Sequence, residues 1–558
     1  MKKWKKIVAL GLALMMSVVN LGGCGSSAGT TANDTGDSAS EVSATTDGSG
    51  EPLDIVVRTS AELASVDGSI ITSGESMQVY NLTQEGLYKY DSDGTLVPGM
   101  AEDVTISEDG LTYTFTIRDA KWSDGTPITA NDYEYSWKRL ANPSTGAEYA
   151  YMLYVAGVKN AYAVCYEGAE LDSLGVKAID DKTLVVELER PVAYFPSLLT
   201  GTYFLPINKE FCEAQGDQYG LTKDNVLASG AFVLTQWQPG DTVAVLTKNE
   251  NYYDAANIEV NSITFETIKD NQQAIMAWES GTIDCISLTG DMVELYKDSE
   301  AYQSKQSAML WYIAVNEDVE GLENTNLRKA LALAFDKQSI CDNILKNGSI
   351  PANFVVPENF AMDHNGKYFR EVANATYLES NKELALEYYN KACEELGKSE
   401  FTFELLYDDA EDTKNIAQFI QSEIQSTLPG VTITLKVQPK NNRVELMTNH
   451  EFELGLTRWG ADYQDATTFL DMWVTGASYN YGNYSNSEYD ELQNAVSGEL
   501  ATDLDARIEN MVKAEQVIMD DAGVFPIYQT CTAYLINPEI EVTYAVQGGY
   551  LWKYATRK

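Results

Sequence analysis

The chain has 558 residues and a formal net charge of −44. So acidic a surface repels phosphate and excludes nucleic-acid binding, and the length exceeds what one core carries, which calls for two or three domains. After the first twenty residues no run is long and apolar enough to cross a membrane as a helix.

The first segment sets the compartment. Lys2, Lys3, Lys5 and Lys6 precede an apolar stretch, Ile7 to Val19, interrupted by Gly11 and Ser17. Too short to span a bilayer, it suits the core of a secretory signal. Leu21-Gly22-Gly23-Cys24 follows and resembles the lipobox of bacterial lipoproteins, in which small residues admit a peptidase and the thiol receives diacylglycerol. Residues 1–23 are expected to be removed, leaving lipidated Cys24 as the mature N-terminus. From Gly25 to Gly50 there is no aromatic residue and one large aliphatic, Val42. Such a composition cannot offset its ordering entropy, so residues 24–50 are expected to form a disordered tether. The protein is therefore expected on the extracytoplasmic face of the membrane, anchored and not spanning.

Leu53 to Arg58 reads as a strand, and Gln84 to Tyr88 closes an amphipathic segment before a hairpin turn at Asp91-Ser92-Asp93-Gly94. Leu111 to Arg118 alternates apolar and polar residues, the period of a half-buried strand, and a second hairpin turn follows at Ser123 to Pro127. Thr129, with Asp132 three residues on, caps a helix to Leu140. Further strands are expected at Thr183–Leu188, Val243–Leu246, Phe401–Tyr407 and Val431–Val437. Helices are expected at Leu327–Lys346, Asn381–Leu396, Asp412–Leu428 and Ala501–Asp520. The class is α/β, with the N-terminal part richer in strands.

Catalytic signals fail one by one. Seven cysteines are present; beyond Cys24 they are widely spaced with no C-x-x-C, which signals neither zinc nor a disulfide framework and leaves bridges open. His450-Glu451 starts like a zincin motif, but Leu454 stands where the second ligand belongs. Gly25-Ser26-Ser27-Ala28-Gly29 matches a nucleophile elbow but lies in the tether. Asp91 to Gly94 opens like a calcium loop, yet Leu96 occupies the position of its required glycine. No catalytic residue, metal site or cofactor is expected, and the chain does not read as an enzyme.

Pro98-Gly99-Met100-Ala101-Glu102, Leu111 to Phe115, Lys121 to Pro127, Asn249 to Asp254, Arg328 to Asp336 and Trp459-Gly460-Ala461-Asp462-Tyr463 occur in an order that closely resembles the peptide-binding family of ABC transporter solute-binding proteins. The resemblance spans almost the whole mature chain. It implies a two-lobed, three-domain periplasmic-binding-protein-like fold of type II, with a hinge and central cleft. Mapped here, residues 51–84, 208–311 and 529–558 form a discontinuous domain I, 85–207 a β-rich domain II in the same lobe, and 312–528 domain III in the other lobe.

Peptides vary in side chain but not in backbone, and the family pairs them as an added strand. The resemblance gives Asp462 the α-ammonium, a charge-assisted contact. Arg458 and Gly460 supply backbone pairing on one side, and Thr72, Ser73 and Gly74 on the other; Trp459 lines a side-chain pocket and Tyr149 touches the peptide. Three positions depart from the pattern. Leu456 replaces an arginine that reaches a peptide carboxylate, Lys440 an aromatic residue, and Arg458 a glycine. The implied function is a monomeric receptor that delivers peptides to the permease subunits of an ABC importer. An oligosaccharide or metal chelate is the alternative ligand on the same fold, and a secreted hydrolase is the alternative of another class.

Overall fold

The computed structural model describes residues 52–363, 365–545 and 549–558. The signal segment, Cys24 and the tether lie outside them. Strand β1 (Leu53–Thr59) runs from the start of this body, and β2 (Tyr88–Tyr90) and β3 (Leu96–Pro98) form the first hairpin. Asp91 closes its turn by accepting the N–H groups of Asp93 and Thr95, while Gly94 takes the positive φ of 81° that the reversal requires.

β4 (Ala101–Ile106), β5 (Thr112–Ile117), β6 (Val176–Ala178) and β7 (Thr183–Glu187) make a four-stranded sheet in the order β4-β5-β7-β6. Tyr113, Phe115 and Ile117 point from β5 into one core, as the alternation required. The helix Ala130–Ala141 covers them, entering where the Thr129 N–H donates to Asp132 Oδ2 at 2.8 Å. Its fully buried Tyr133 and Trp137 anchor the layer, and truncating such an aromatic costs about 3–5 kcal/mol.

The rest is organised by one large sheet. β8 (Phe232–Gln236), β9 (Val243–Lys248), β10 (Val260–Thr267) and β11 (Cys285–Leu288) flank β1 in the order β11-β1-β10-β9-β8. Two long strands, β12 (Tyr302–Val315) and β17 (Val524–Ile536), carry the sheet onward. The short β13 (Ile350–Pro351) pairs with β17, and β14 (Phe401–Asp408), β15 (Val431–Gln438) and β16 (Leu454–Gly460) complete the far half in the order β15-β14-β16-β12. Alternate residues feed cores on both faces of that half. Leu310, Tyr312 and Ala314 of β12 enter one, and Ile313 and Val315 the other.

One expected helix is broken and two shift. In place of a helix over Leu327–Lys346, Thr325–Leu333 ends before Asp336, which caps a new turn by accepting the Gln338 N–H and runs into a wider-pitched segment, Ile340–Leu345. The expected Asp412–Leu428 helix is Glu411–Thr427. The helix expected from Ala501 starts at Leu504 because Asp503 supplies the cap. The six cysteines beyond Cys24 are unbridged thiols, five of them buried.

Candidate functional site

The site begins where strand pairing stops. β16 pairs with β12 along its length but with β14 only at Leu454 and Gly455. Ala461 N–H donates to the Ala308 carbonyl at 2.8 Å, and the Glu453 carbonyl accepts from Asn316 N–H at 3.0 Å. Odd-numbered residues of β16 thus turn their backbone groups towards β12, and even-numbered ones turn away. Arg458 and Gly460 therefore present backbone N–H and C=O groups at an edge that no strand covers among the described residues. Gly460 is not forced by crowding: a Cβ there meets only Met309 Cε, at an ordinary 3.5 Å, with the Ala308 carbonyl 4.0 Å away.

Asp462 follows the end of β16. Its N–H donates to Thr468 Oγ1 at 3.1 Å, and the turn beyond it is locked by Asp465, which accepts Thr467 N–H and grips Arg507 through two bonds of 2.7 and 2.8 Å. Burial alone raises the Asp465 carboxyl, but the Arg507 guanidinium outweighs it and holds the group below the ordinary carboxylate range. The Asp462 carboxylate is different. It is open to the cleft, and no ion pair or side-chain hydrogen bond reaches it from the described residues. Protein packed around its base strips hydration and pushes its carboxyl up to about 6.

Aromatic rings surround that carboxylate. Tyr149 stacks on Tyr203 with centroids 4.3 Å apart and lies 5.8 Å from Tyr151, while Trp459 packs on Tyr479 at 4.6 Å. The hydroxyls of Tyr151 and Tyr479 are raised first by burial and then by the negative charge of Asp462, and that of Tyr203 by burial, then by Tyr149 and Tyr151, with Asp462 adding to them. The Trp459 indole N–H is buried without a partner among the described residues.

A cavity of about 570 Å³ opens beside Asp462 and is lined by Asp462, Tyr149 and Gly74. Thr72, Ser73, Trp459, Arg458 and Gly460 are not on its wall. Ser73 caps the helix Gly74–Thr83, its hydroxyl accepting Ser76 N–H and its carbonyl taken by Met77 N–H. Of the expected trio, Thr72 and Gly74 keep backbone N–H groups that no internal bond uses among the described residues. Leu456 is fully buried in the core, and Lys440 sits exposed at the start of the helix Lys440–Thr448, off the cavity wall. Arg458 is exposed, with its guanidinium 5.7 Å from the Trp311 ring centre and no carboxylate partner among the described residues.

The cavity wall also carries residues that sequence reasoning missed. Glu85 is buried and accepts Tyr252 Oη and Tyr253 Oη at 2.9 Å each and Lys553 Nζ at 3.1 Å, with Lys89 Nζ 3.6 Å away. Burial raises it, yet the two ammonium groups bring its carboxyl below the usual range. Two contacts join the Asp462 turn to the first part of the chain: Tyr463 stacks on Tyr194 at 4.0 Å, and Tyr90 Oη donates to Gln464 Oε1 at 3.0 Å. Among the described residues no group of three or more His, Cys, Asp or Glu is placed to hold a metal ion.

Two sheet halves joined by two long strands, with an ionic and aromatic chamber beside the end of β16, are the arrangement of a solute-binding protein. The chain belongs to the bacterial extracellular solute-binding proteins, family 5, whose model for the middle region matches residues 95–481. It is 31% identical over 543 residues to the oligopeptide-binding protein OppA of Bacillus subtilis, covering 95% of this chain and 94% of that one. The dipeptide-binding protein DppE of the same organism is 30% identical over 554 residues, covering 99% and 98%. Among solved structures, Listeria monocytogenes OppA bound to peptide superposes with a TM-score of 0.72 at 34% identity, over 90% of this chain and 99% of that one. The fold is accordingly the two-lobed periplasmic-binding-protein fold of this family.

Proposed function

We propose that this chain is an extracytoplasmic lipoprotein that captures peptides in its cleft and passes them to an ABC importer. The observation that carries the reading is Asp462, an unpaired carboxylate at the wall of a chamber, ringed by tyrosines. A carboxylate whose hydration is thinned by the protein around its base, and which has no partner among the described residues, is a ready site for a cation, and a peptide α-ammonium supplies one. In this reading Arg458 and Gly460 offer the uncovered strand edge on which an extended backbone pairs, the free N–H groups of Thr72 and Gly74, with Ser73 holding their helix start, serve its other side, and Trp459 and Tyr149 supply apolar walls. Residues 51–84, 208–311 and 529–558, then 85–207, then 312–528 serve as the three domains. The receptor works as a monomer, tethered by diacylglycerol on Cys24, and its partners are the permease subunits of the importer.

Calorimetry with a random peptide library and its N-acetylated copy tests the ammonium contact. Asp462→Ala is expected to weaken binding of the free library by more than about tenfold, since charge-assisted bonds contribute roughly 1.5–3 kcal/mol. Binding of the acetylated library is expected to change little. Equal losses for both remove the assignment. Mass spectrometry of the protein purified from its native membrane reads the rest, with diacylglycerol on Cys24 and co-purifying peptides expected. Recovery of sugars without peptides, or an unmodified Cys24, overturns the corresponding part.

A further inference from the structure

The chamber that holds Asp462 does not extend along β16; it runs to Lys89 and Lys553. We propose that these two lysines form a carboxylate subsite, so that the ligand whose ammonium meets Asp462 also presents a carboxylate at the other end of the same chamber. The inference rests on the ammonium assignment and gives it a direction.

Three observations support it. First, Lys89 and Lys553 are mostly buried, with 13% and 14% of their side chains exposed, and both face the cavity. Burying two ammonium groups beside one another is unfavourable unless anions surround them. Second, one carboxylate is shared by both ammonium groups: Glu85 lies 3.6 Å from Lys89 Nζ and 3.1 Å from Lys553 Nζ, and Lys89 also reaches Asp254 at 3.5 Å. Arg118 lies with its guanidinium 4.2 Å from the Tyr253 ring centre and spends its donors on the Gly99 and Ala101 carbonyls. Third, Glu85 is saturated by two tyrosine hydroxyls and Lys553, whereas each lysine ammonium has three donors. Lys553 spends one on Glu85 and otherwise lies 5.0 Å from the Tyr554 ring centre, so donors remain for a ligand oxygen.

A chamber of about 570 Å³ with a carboxylate on one wall and ammonium groups on another is complementary to a zwitterion of small-ligand size. Two parts of a peptide supply the carboxylate: the C-terminus of a short peptide held entirely inside, or an acidic side chain on the first residue of a longer one.

Calorimetry on the full chain with Ala-Phe, Ala-Phe amide, Glu-Phe amide and Gln-Phe amide separates the two. Ala-Phe binding at least about tenfold more tightly than its amide assigns the C-terminus, and Glu-Phe amide exceeding Gln-Phe amide by a similar factor assigns the side chain. Whichever ratio is large is expected to fall below about threefold in Lys553→Gln and to persist in Lys553→Arg. Each ratio is taken within one protein, so a destabilised variant cannot imitate the effect. Both ratios near one in the unsubstituted protein overturn the proposal, as does failure of all four peptides to bind. So does a ratio that survives Lys553→Gln and disappears in Arg458→Gln. The acetylation test uses a mixed library and can succeed where this one fails, which keeps the two readings apart.

Discussion

In the proposed reading a peptide ammonium pairs with the Asp462 carboxylate, and that pairing carries a proton balance. The carboxyl titrates near about 6 in the ligand-free fold because of burial, against roughly 3.9 in an unfolded chain. A carboxyl whose pKa rises on folding binds its proton more readily in the native state, so at this position the ligand-free protein loses stability as pH climbs from about 4 to about 6. The loss is small because the group is open to solvent. An ammonium partner favours the ionised form and reverses the sign. Below about pH 6, capture must first expel a proton, and affinity for unblocked peptides is expected to fall by up to about tenfold per pH unit, to level off between about 6 and 7, and to decline again as the peptide α-ammonium, with a pKa of roughly 7.7–8.0, loses its proton. Calorimetry across that range checks it. A flat profile below pH 6, or an equal slope in Asp462→Asn, contradicts it. Tyr151, Tyr203 and Tyr479 keep their protons throughout, since burial and Asp462 both raise them, and so remain hydroxyl donors and apolar faces at every pH tested.

At the scale of elements, what was legible in the sequence divides by how locally each piece is determined. The hairpin turns at Asp91 and Ser123, the alternating β5 and the capped helix Ala130–Ala141 follow from residues a few positions apart, and the structure has them within a residue or two. The long strands that build the cleft carry no such mark. In its second half β12 is buried on both faces between two cores, so its apolar run has no period of two to read. β17 is masked in the same way. The broken helix at Asp336 has a tertiary cause. Lys337 is fully buried, with its ammonium bonded to the Ala352 and Leu378 carbonyls and Asn353 Oδ1, and burial pushes its pKa down to about 7. Those three acceptors come from loops that close over the turn, and their bonds fix the kink that helical periodicity argues against. For the candidate site, the Trp459 to Tyr463 motif pointed to Asp462, which lies on the cavity wall. Glu85, Lys89 and Lys553 escaped because Lys553 reaches Glu85 across 468 positions, a proximity that no local pattern encodes.

On the scale of the whole molecule, the proposed domain division makes β12 and β17 the strands that pass from one lobe to the other, and their shared ladder is built around one side chain. Their ladder slips between Gln306 and Leu310, where Gln306 still pairs with Cys531 but Leu310 pairs with Gln529. A register slip frees backbone groups that must find other partners. Gln529, with no exposed surface, supplies them: its Nε2 donates to the Ser307 and Glu358 carbonyls at 3.1 Å each, and its Oε1 accepts Glu358 N–H at 2.7 Å. One amide thus ties β12, β17 and the loop after β13 at the register slip. Gln529→Met keeps the volume and removes all three bonds, leaving the partly buried Ser307 and Glu358 backbone groups without those partners. A loss of about 2–4 kcal/mol is expected in denaturant unfolding of the ligand-free protein, because each orphaned group costs roughly 1–3 kcal/mol and relaxation recovers part of it. Asp462 and the chamber lie on other elements, so the acetylation preference of the bound peptides is expected to survive even as overall affinity drops through the less sharply defined closed state. A variant as stable as the original shows that the slip is satisfied by other groups, and a variant whose acetylation preference vanishes shows that Gln529 acts on the site itself and not on the slip.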